Sequence, residues 1–334
     1  MTFNPITNKD VAIICATKNQ PNNIMRMLDS IAESQIGIGQ ILISDGGKNL
    51  KKIIEPYKNK LKVRCIYSPI SGQVLQRNYA HKFLHKKIRL VIYFDDDITI
   101  EKDALSKMVL FWNNVENHRG KSLAGASFNL INAPIMHNSI FRKLFLIDIE
   151  PKGCVKKGGY AVPFCPANKT HEVSWLLGGA TAWSREVLDN YPHPIDFPTK
   201  WAVCEDLIYS FPLSQTHKMF VVQDAKVRHD EKQEIMKFSK GLFYGKSSVV
   251  MRYYFCSINK DIDSMLFFWM TFGILFGHFG KSLRGSLLNF AFFLGGVSGL
   301  ISIFLNFFSN KNAKDLATQL CISDSMSIKK NIRI

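Results

Sequence analysis

The chain has 334 residues, of which 46% are hydrophobic and 21% are charged, and its formal net charge is +16. This length and apolar content exclude a disordered protein and predict one large domain, or one domain with an appendage. The positive charge favours acidic partners, namely nucleotides, anionic lipid head groups or nucleic acid, without choosing among them.

The N-terminal part alternates short apolar runs with longer amphipathic ones. The first ten residues, MTFNPITNKD, lack the basic start and apolar run of a signal peptide, so we expect a cytoplasmic catalytic part. From Val11 the order is VAIICAT, PNNIMRMLDSIAES, QILISDGG, a Lys-rich segment and LKVRCIY. This order predicts a β-α-β-α-β unit, and therefore a parallel sheet with helices on both faces.

Three consecutive aspartates follow the next buried strand. A helix over residues 73–85 leads into the strand RLVIYF, which runs directly into Asp95, Asp96 and Asp97. Ligands of open α/β sheets bind at the carboxyl ends of strands. Three neighbouring carboxylates repel one another, and Mg²⁺ or Mn²⁺ would relieve that repulsion. Alternation along the strand predicts Asp95 and Asp97 on one side and Asp96 on the other. By itself, such a cluster is equally typical of a solvated turn.

Two further acidic positions lie at the ends of predicted elements. Asp45, in ISDGG, ends a strand and precedes two glycines that allow backbone to approach a ligand closely, although an aspartate there also commonly caps a turn. Glu205 and Asp206 open a predicted helix. One of these two carboxylates suits a general base that the helix N-terminus helps to keep ionised, and the alternative is a helix-capping pair without chemistry.

The middle of the chain is less regular. Residues 131–173 form a long stretch containing Lys, Gly and Pro, and so long a loop in a compact domain is usually functional or mobile. The remaining predicted elements are a helix from about Asp103, the strand LAGASFNL, regular structure in VSWLLGGATAWSREVL and CEDLIYSF, the strand MFVVQDAKVRHD, and a basic amphipathic segment from about Glu234 to Arg252.

The C-terminal third is strongly apolar. Residues 264–280 and 285–308 carry no formal charge. A bilayer core needs about 20 mostly apolar residues, so the second run is long enough to span it and the first is marginal. Basic residues flank the second run on both sides, which fits a re-entrant or interfacial helix pair on anionic head groups. A helix pair buried in the protein core is the alternative.

The seven cysteines are odd in number and contain no CxxC pair. This pattern indicates neither a disulfide framework nor a zinc site, so we expect reduced, mostly buried thiols. These are Cys15, Cys65, Cys154, Cys165, Cys204, Cys256 and Cys321.

The ordered series of motifs resembles the family 2 glycosyltransferases, inverting nucleotide-sugar enzymes of the GT-A fold. It covers about residues 10–255 and consists of ICATKN, ISDGG, SGQVLQRNYA, IYFDDDI, WLLGGATAWSREVL, CEDL and DAKVRH. The resemblance implies an α/β fold with a GT-A type nucleotide-binding mixed sheet flanked by helices. We accordingly expect a GT-A domain over residues 1–255 and an apolar, membrane-associating helical region with a basic tail over residues 256–334.

On the donor side, the resemblance implies roles for residues that match the family's motifs. The donor nucleotide would be bound by Thr17, Asp45, Arg77, Asn78 and Asp95. The divalent metal, Mn²⁺ or Mg²⁺, would be held by Asp95, Asp97 and His229. For His229, an unliganded and hydrogen-bonded histidine is equally expected.

On the acceptor side, the resemblance implies that Asp206 is the catalytic base, and that Gly178, Gly179, Glu205 and Trp175 border the acceptor. We expect the loop over residues 131–173 and the region near Trp175 and Trp201 to select the acceptor, because aromatic faces stack on sugar rings, although both indoles are equally suited to the core.

Two features depart from the family pattern. Pro212 stands where the family often has an Arg, and a proline is expected to kink or end that helix. The QxxRW motif of processive members is absent. We therefore expect a hexosyltransferase-like, inverting enzyme that adds one sugar to a saccharide or lipid-linked acceptor, at the cytoplasmic face of the cell membrane, in cell-surface polysaccharide or glycolipid synthesis.

Two other functions fit parts of the sequence. DDDIT matches DxDxT, the nucleophile motif of haloacid-dehalogenase-type phosphatases, with Asp95, Asp97 and Thr99, although that motif normally follows the first strand of its domain. A basic membrane- or nucleic-acid-binding protein without catalysis explains the charge but not the acidic strand ends. Because no aromatic-and-basic recognition motif is present, we expect no nucleic-acid partner.

Overall fold

The computed structural model describes residues 4–47, 50–115, 122–195, 203–230, 237–309 and 312–321. The chain divides into two compact units. The first comprises residues 1–135, 164–196 and 209–231, and the second comprises residues 136–163, 197–208 and 232–334. The expected division at residue 255 stays a prediction, and Trp201 lies outside the described residues.

All nine named strands belong to the first unit. They are β1 (Val11–Thr17), β2 (Gln40–Asp45), β3 (Val63–Tyr67), β4 (Leu90–Asp95), β5 (Ile98–Ile100), β6 (Leu123–Leu130), β7 (His171–Glu172), β8 (Ala180–Ser184) and β9 (Lys218–His229). The helices, in chain order, are α1 (Pro21–Glu33), α2 (Lys51–Ile54), α3 (Gln73–His81), α4 (Ala104–Val115), α5 (Ile140–Leu144), α6 (Arg185–Asn190), α7 (Glu205–Ser214), α8 (Phe238–Ile258), α9 (Ser264–Ser282) and α10 (Leu287–Phe308). Residues 313–321 are helical as well.

The predicted β-α-β-α-β unit is confirmed. All seven residues of β1 and five of the six residues of β4 are buried, which is why both strands read as continuous apolar runs. Helix α1 begins with Pro21 at its first turn and buries Ile24, Met27, Leu28 and Ile31 on one face. Local sequence therefore determines both the strands and the helix face that covers them.

The sheet is mixed, as the GT-A resemblance implies. Its strand order is β3-β2-β1-β4-β8-β6-β9-β5, with β7 added beside β9. Strands β3, β2, β1 and β4 pair in parallel, whereas β8 is antiparallel to both β4 and β6. The chain moves outward from β1 to β3 and then returns to the other side of β1 as β4. The crevice between the carboxyl ends of β1 and β4 is therefore a topological switch point, where ligands of α/β sheets bind.

Two predicted helices differ from expectation at their ends. Helix α3 ends at His81 instead of residue 85, because Phe83 and Leu84 donate to carbonyls three residues back and form turns. Pro212 lies inside α7, which ends only at Ser214. The helix therefore continues for two residues beyond the proline and then ends.

The second unit contains α8, α9 and α10. The predicted amphipathic character of the basic segment from Glu234 is wrong for its helical part, because α8 buries residues on every side. Its neighbour α10 packs against it through glycines that allow close backbone approach: a β-carbon on Gly245 would lie 2.3 Å from the carbonyl oxygen of Phe292, and one on Gly295 would lie 2.1 Å from that of Leu242. Helix α9 contributes a further contact, from Leu275 to Gly296.

The apolar run over residues 285–308 forms α10. Among the described residues, α10 is the one helix that is long and apolar enough to cross a membrane. The long stretch 131–173 is mostly irregular, as predicted, with α5 and β7 as its only named elements in the described chain. No disulfide joins any of the seven cysteines, all of which lie in described segments.

Candidate active site

The candidate site lies in the first unit, at the carboxyl ends of β1, β2 and β4. Thr17 ends β1, Asp45 ends β2 and Asp95 ends β4. Thr17 pairs in register with Asp45, and the preceding residue of β1, Ala16, pairs with Asp95. The parallel pairing therefore collects at one sheet edge the polar side chains that the sequence places at separate strand ends.

Asp96 faces β1 and α1. One of its carboxylate oxygens accepts a hydrogen bond from Oγ1 of Thr17, and the other accepts one from Nδ2 of Asn23 at 3.4 Å. Burial raises the pKa of Asp96 to about 6, together with the neighbouring charges of Asp97 and Asp95, while the two hydrogen bonds oppose this effect. Asp96 thus carries a destabilised negative charge beside the predicted nucleotide residue Thr17.

Asp95 faces α3. Its Oδ1 lies 2.6 Å from Nη2 of Arg77, and Nε2 of Gln73 donates to the same oxygen. The Arg77 guanidinium is buried and lies 5.3 Å from the ring centroid of Tyr93. Arg77 therefore orients a carboxylate of the aspartate cluster, whereas its neighbour Asn78 is exposed on the helix.

Asp97 faces β9. Its Oδ1 lies 2.9 Å from Nε2 of His229. Strand alternation does not extend through the cluster, because β4 ends at Asp95 and residues 96 and 97 form a turn before β5. The three aspartates consequently have three different sets of partners, and the predicted pairing of Asp95 with Asp97 on one side of a continuing strand is wrong.

A divalent cation suits the contact between Asp97 and His229. Oδ1 of Asp97 is buried but accepts no hydrogen bond, so the contact with His229 is close without being aligned. A carboxylate oxygen and an imidazole nitrogen are both metal-binding atoms, and substrate phosphates and water usually complete a Mg²⁺ or Mn²⁺ shell. Within the described segments, no group of three or more His, Cys, Asp and Glu side chains is arranged to hold a metal. Asp97 and His229 would each supply one ligand atom to such a shell.

Gln76 joins the strands that carry the site, and the sequence pattern did not single it out. Its Nε2 donates to the carbonyl oxygens of Thr17 at 2.8 Å and Ser44 at 2.7 Å, and its Oε1 accepts from the backbone nitrogen of Gly72 at 3.1 Å. The sequence offered one indication of its role, namely its position beside Arg77 in SGQVLQRNYA. However, sequence alone does not distinguish a buried glutamine in a helix from an exposed one.

Asp45 forms a turn at the end of β2. Its Oδ1 accepts from the backbone nitrogen of Gly47 at 2.7 Å, so the turn-capping alternative holds for this oxygen. Asp45 is nevertheless buried next to Thr17 in the pairing register, and this places it at the predicted nucleotide side of the site.

Gly179 directly supports Asp95. The backbone nitrogen of Asp95 donates to the carbonyl oxygen of Gly179 at 2.9 Å, and a β-carbon on Gly179 would lie 2.1 Å from Oδ2 of Asp95. Gly178 is half-buried beside it. Trp175 is buried and packs edge-on against Phe164, with 5.0 Å between ring centroids. In this conformation the Trp175 ring is packed in the core.

Glu205 and Asp206 form the first turn of α7, in the second unit. Cys204, whose φ of 60° is in the left-handed region, turns the chain into the helix. Glu205 is buried, whereas Asp206 is half-buried and its Oδ1 accepts from the backbone nitrogen of Leu207 at 2.8 Å. Burial raises the pKa of the Cys204 thiol, although Arg252 of α8 hydrogen-bonds to it and opposes the shift.

The phosphatase alternative gains no support from this geometry. Thr99 lies in β5, where its Oγ1 donates to Oδ2 of Asp230 at 2.8 Å, and Asp95 is paired with Arg77. The strand before Asp95 is the fourth of the sheet in chain order.

One family model matches the first part of the chain. Residues 12–118 match the family model described as glycosyl transferase family 2, which confirms the resemblance expected from the motifs. This segment contains the strand ends that carry Thr17, Asp45 and the three aspartates. No curated protein sequence matches the chain.

Solved structures share the fold. S. aureus TarS 1-349 has a TM-score of 0.51 and 14% identity, over 96% of this chain and 91% of that one. The mannosyltransferase PcManGT from Pyrobaculum calidifontis, in complex with GDP-Man and Mn²⁺, has a TM-score of 0.51 and 12% identity, over 100% of this chain and 86% of that one. The present chain covers 41% of the longer S. aureus TarS structure. Both of the first two proteins confirm the mixed α/β architecture.

Proposed function

We propose that the chain, whose residues 12–118 match glycosyl transferase family 2, transfers one sugar from a nucleotide-sugar donor to a saccharide or lipid-linked acceptor with inversion. The observation that carries this proposal is the convergence of Thr17, Asp45 and the three aspartates at the switch point of the sheet. A carboxylate-rich strand edge suits a donor diphosphate only when a cation accompanies it.

The donor is a nucleoside diphosphate sugar. Among the structures with the same fold, TarS 1-349 is in complex with UDP-GlcNAc and PcManGT with GDP-Man and Mn²⁺, which makes uridine and guanosine donors the first to test. Thr17 and Asp45 contact the base and ribose, since a buried carboxylate accepts hydrogen bonds from hydroxyl and N–H groups. Arg77 orients Asp95 toward the ribose, and Asn78 borders the nucleotide from the exposed side of α3.

A divalent cation, Mn²⁺ or Mg²⁺, would be held by Asp97 and His229 with Asp95 beside them. When bound, it neutralises the charge that develops on the departing nucleoside diphosphate. Asp96 stays bound to Thr17 and contributes negative charge behind this position. The support for this assignment is the buried, unbonded Oδ1 of Asp97 beside Nε2 of His229.

Asp206 is the proposed base. Its carboxylate takes the proton of the acceptor hydroxyl while that oxygen bonds to the anomeric carbon, and the bond from this carbon to the diphosphate oxygen breaks. One displacement from the side opposite the leaving group inverts the configuration. Gly178 and Gly179 border the acceptor in this proposal, whereas Glu205 and Trp175 are buried and would support that side of the site from behind. The reaction takes place at the cytoplasmic face of the cell membrane.

Replacing Asp206 tests the base. Asp206→Asn should abolish transfer and leave donor binding nearly intact, because the amide keeps the volume but cannot accept the proton. The readout is nucleoside diphosphate release from the donor in the presence of acceptor-containing membranes, with the exposed Asp261→Asn as the matched control. Near-normal turnover in Asp206→Asn would refute the assignment.

A thermal-shift panel of nucleoside diphosphates and their sugars, with and without Mn²⁺, tests the donor and the metal together. Binding to the native state raises the unfolding temperature by mass action. We expect one nucleoside series to stabilise the protein only when Mn²⁺ is present. If no nucleotide shifts the unfolding temperature, the transferase proposal fails.

A further inference from the structure

The second unit exposes many large apolar side chains. Helix α9 presents Met265, Phe268, Trp269, Phe272 and Phe276, at the spacing of one helix face, and each is at least 41% exposed. Large apolar side chains are also exposed on α5, in the α9–α10 loop and on α10. We call the complete set the apolar face; its other members are Ile140, Leu144, Leu283, Leu287, Phe290, Leu294, Ile301, Phe304, Leu305, Phe307 and Phe308.

The apolar face is held together by specific contacts. Nε1 of Trp269 donates to the carbonyl oxygen of Leu144 at 2.8 Å, which ties α5 to α9. The rings of Trp269, Phe272 and Phe276 stack in sequence along α9, with centroids 6.5 and 6.2 Å apart. Nδ1 of His278 lies 2.8 Å from Oδ1 of Asn289, joining α9 to α10. A surface this large and ordered on one unit marks an interaction site.

The charges within α9, the α9–α10 loop and α10 are positive, although the exposed Asp261 and Asp263 lie just before α9. Between Ser264 and Phe308, Lys281 and Arg284 are the only formally charged residues of the sequence, and both are exposed in or beside the α9–α10 loop. Lys143 is exposed next to Leu144 on α5. Aromatic side chains beside lysine and arginine are typical of surfaces that enter the head-group region of an anionic membrane.

The packing of α10 argues against a simple membrane span. Its 22 residues measure about 33 Å, which is sufficient for a span. However, the contacts from Gly241 to Ala291, Gly245 to Phe292 and Val249 to Gly299 show that α8 runs beside α10 in the same direction. The backbone carbonyl of Lys246 in α8 lies beside Gly299, near the middle of α10. A spanning α10 would therefore carry Lys246 to the depth of the hydrocarbon core, where a charged side chain is strongly disfavoured.

We propose that the apolar face binds in the plane of one leaflet of an anionic membrane, with α9 and α10 lying along the interface and Lys281, Arg284 and Lys143 contacting lipid phosphates. The proposal specifies the membrane location given under the proposed function and rests on it. Because binding is measured without donor or acceptor, its failure is distinguishable from failure of the transferase assignment.

Flotation of the full chain with vesicles tests the surface. We expect binding to vesicles of phosphatidylcholine mixed with phosphatidylglycerol, and about thirtyfold weaker binding for the double variant Lys281→Gln, Arg284→Gln, because each basic side chain near an anionic surface contributes about a fivefold gain. Phe272→Glu combined with Phe276→Glu should abolish binding. Leu110→Glu, at an exposed apolar position of the first unit, is the matched control and should bind as the parent does.

Fluorescence quenching by brominated lipids tests the orientation. Tryptophan is introduced singly at the start, middle and end of α10, as Leu287→Trp, Leu294→Trp and Phe304→Trp, and the parent signal is subtracted. Binding in the plane predicts that bromine near the carbonyl end of the acyl chain quenches all three positions best. Strongest quenching of position 294 by bromine at the methyl end would show a span and overturn the proposal. Failure to float, together with a dimer in solution, would show that a second copy covers the apolar face.

Discussion

Gly179 shows how one residue controls the geometry of the site. Its carbonyl oxygen accepts from the backbone nitrogen of Asp95, and the space that a β-carbon would need is filled by Oδ2 of the same aspartate. The sequence placed this glycine on the acceptor side through family resemblance. Its contact with Asp95 depends on the pairing of β4 with β8, which local sequence patterns do not encode.

Substitution of Gly179 should weaken donor binding. In Gly179→Ala the new methyl group would displace the Asp95 carboxylate from its place in the site, so we expect the Kd of the nucleoside diphosphate to rise about tenfold, which corresponds to about 1.4 kcal/mol of binding free energy. Calorimetric titration in the presence of Mn²⁺ measures the change. Gly37→Ala, where a β-carbon meets nothing within 4 Å, is the control and should bind normally. An unchanged Kd in Gly179→Ala would contradict this account of Asp95.

Asp96 gives a pH prediction for the metal-free protein. Because burial raises its folded-state pKa to about 6, the folded protein binds this proton more tightly than the unfolded chain, whose aspartates titrate near about 3.9. The contribution of Asp96 to stability therefore falls as pH rises from about 4 through about 6.

Asp96→Asn lacks this titration and should gain stability relative to the parent as pH rises through that interval. Urea unfolding in the presence of EDTA, repeated across the range, measures the difference, and the exposed Asp224→Asn serves as control. Parallel stability curves for Asp96→Asn and the parent would show that Asp96 is not destabilised by burial.

At the scale of elements, the sheet was predictable where local pattern and burial coincide. Strands β1, β2, β4 and β6 match their apolar runs, because strands covered on both faces are continuously apolar. The antiparallel insertion of β8 between β4 and β6, and the turn that separates Asp96 and Asp97 from β4, depend on contacts between distant segments. Sequence reasoning therefore located the strand ends but did not assign the partners of each aspartate.

The packing of α8 against α10 was also beyond the sequence pattern. Helix α8 contains lysines and an arginine, which suggested an amphipathic surface helix. Instead, glycines on both helices bring their backbones together, and the buried residues of α8 are spread around the helix. At a close helix–helix contact a glycine is needed because there is no room for a side chain, whereas an exposed glycine in a helix only weakens that helix. The two cases predict opposite effects of the same substitution.

Gly295→Ala should lower the unfolding temperature, because its β-carbon would lie 2.1 Å from the carbonyl oxygen of Leu242 and would push α10 away from α8. Gly280→Ala, in α9 with nothing within 4 Å, should stabilise by about 0.5–1 kcal/mol through the higher helix propensity of alanine. Thermal unfolding of the parent and of both variants in the same detergent measures the two shifts in unfolding temperature. Equal shifts in one direction would contradict the packing described for α8 and α10.

For the whole molecule, the net charge of +16 and the basic residues beside the apolar face both favour acidic partners. The carboxylates gathered at one sheet edge favour a cation there, while positive charge elsewhere on this basic protein attracts acidic surfaces. The composition predicted acidic partners but did not separate nucleotide from membrane. The two features belong to different units, since the aspartate cluster lies in the first unit and the apolar face in the second.

The central claim is that the strand edge around Asp97 binds a nucleoside diphosphate together with a divalent cation. Its most direct test is calorimetric titration of UDP and GDP into the parent, Asp97→Ala and the exposed control Asp224→Ala, with Mn²⁺ and with EDTA. We expect one nucleotide to bind the parent and the control only with Mn²⁺, and its affinity to fall at least about tenfold in Asp97→Ala, since a charged metal ligand is lost. Equal affinity in EDTA, or undiminished binding by Asp97→Ala, would contradict it.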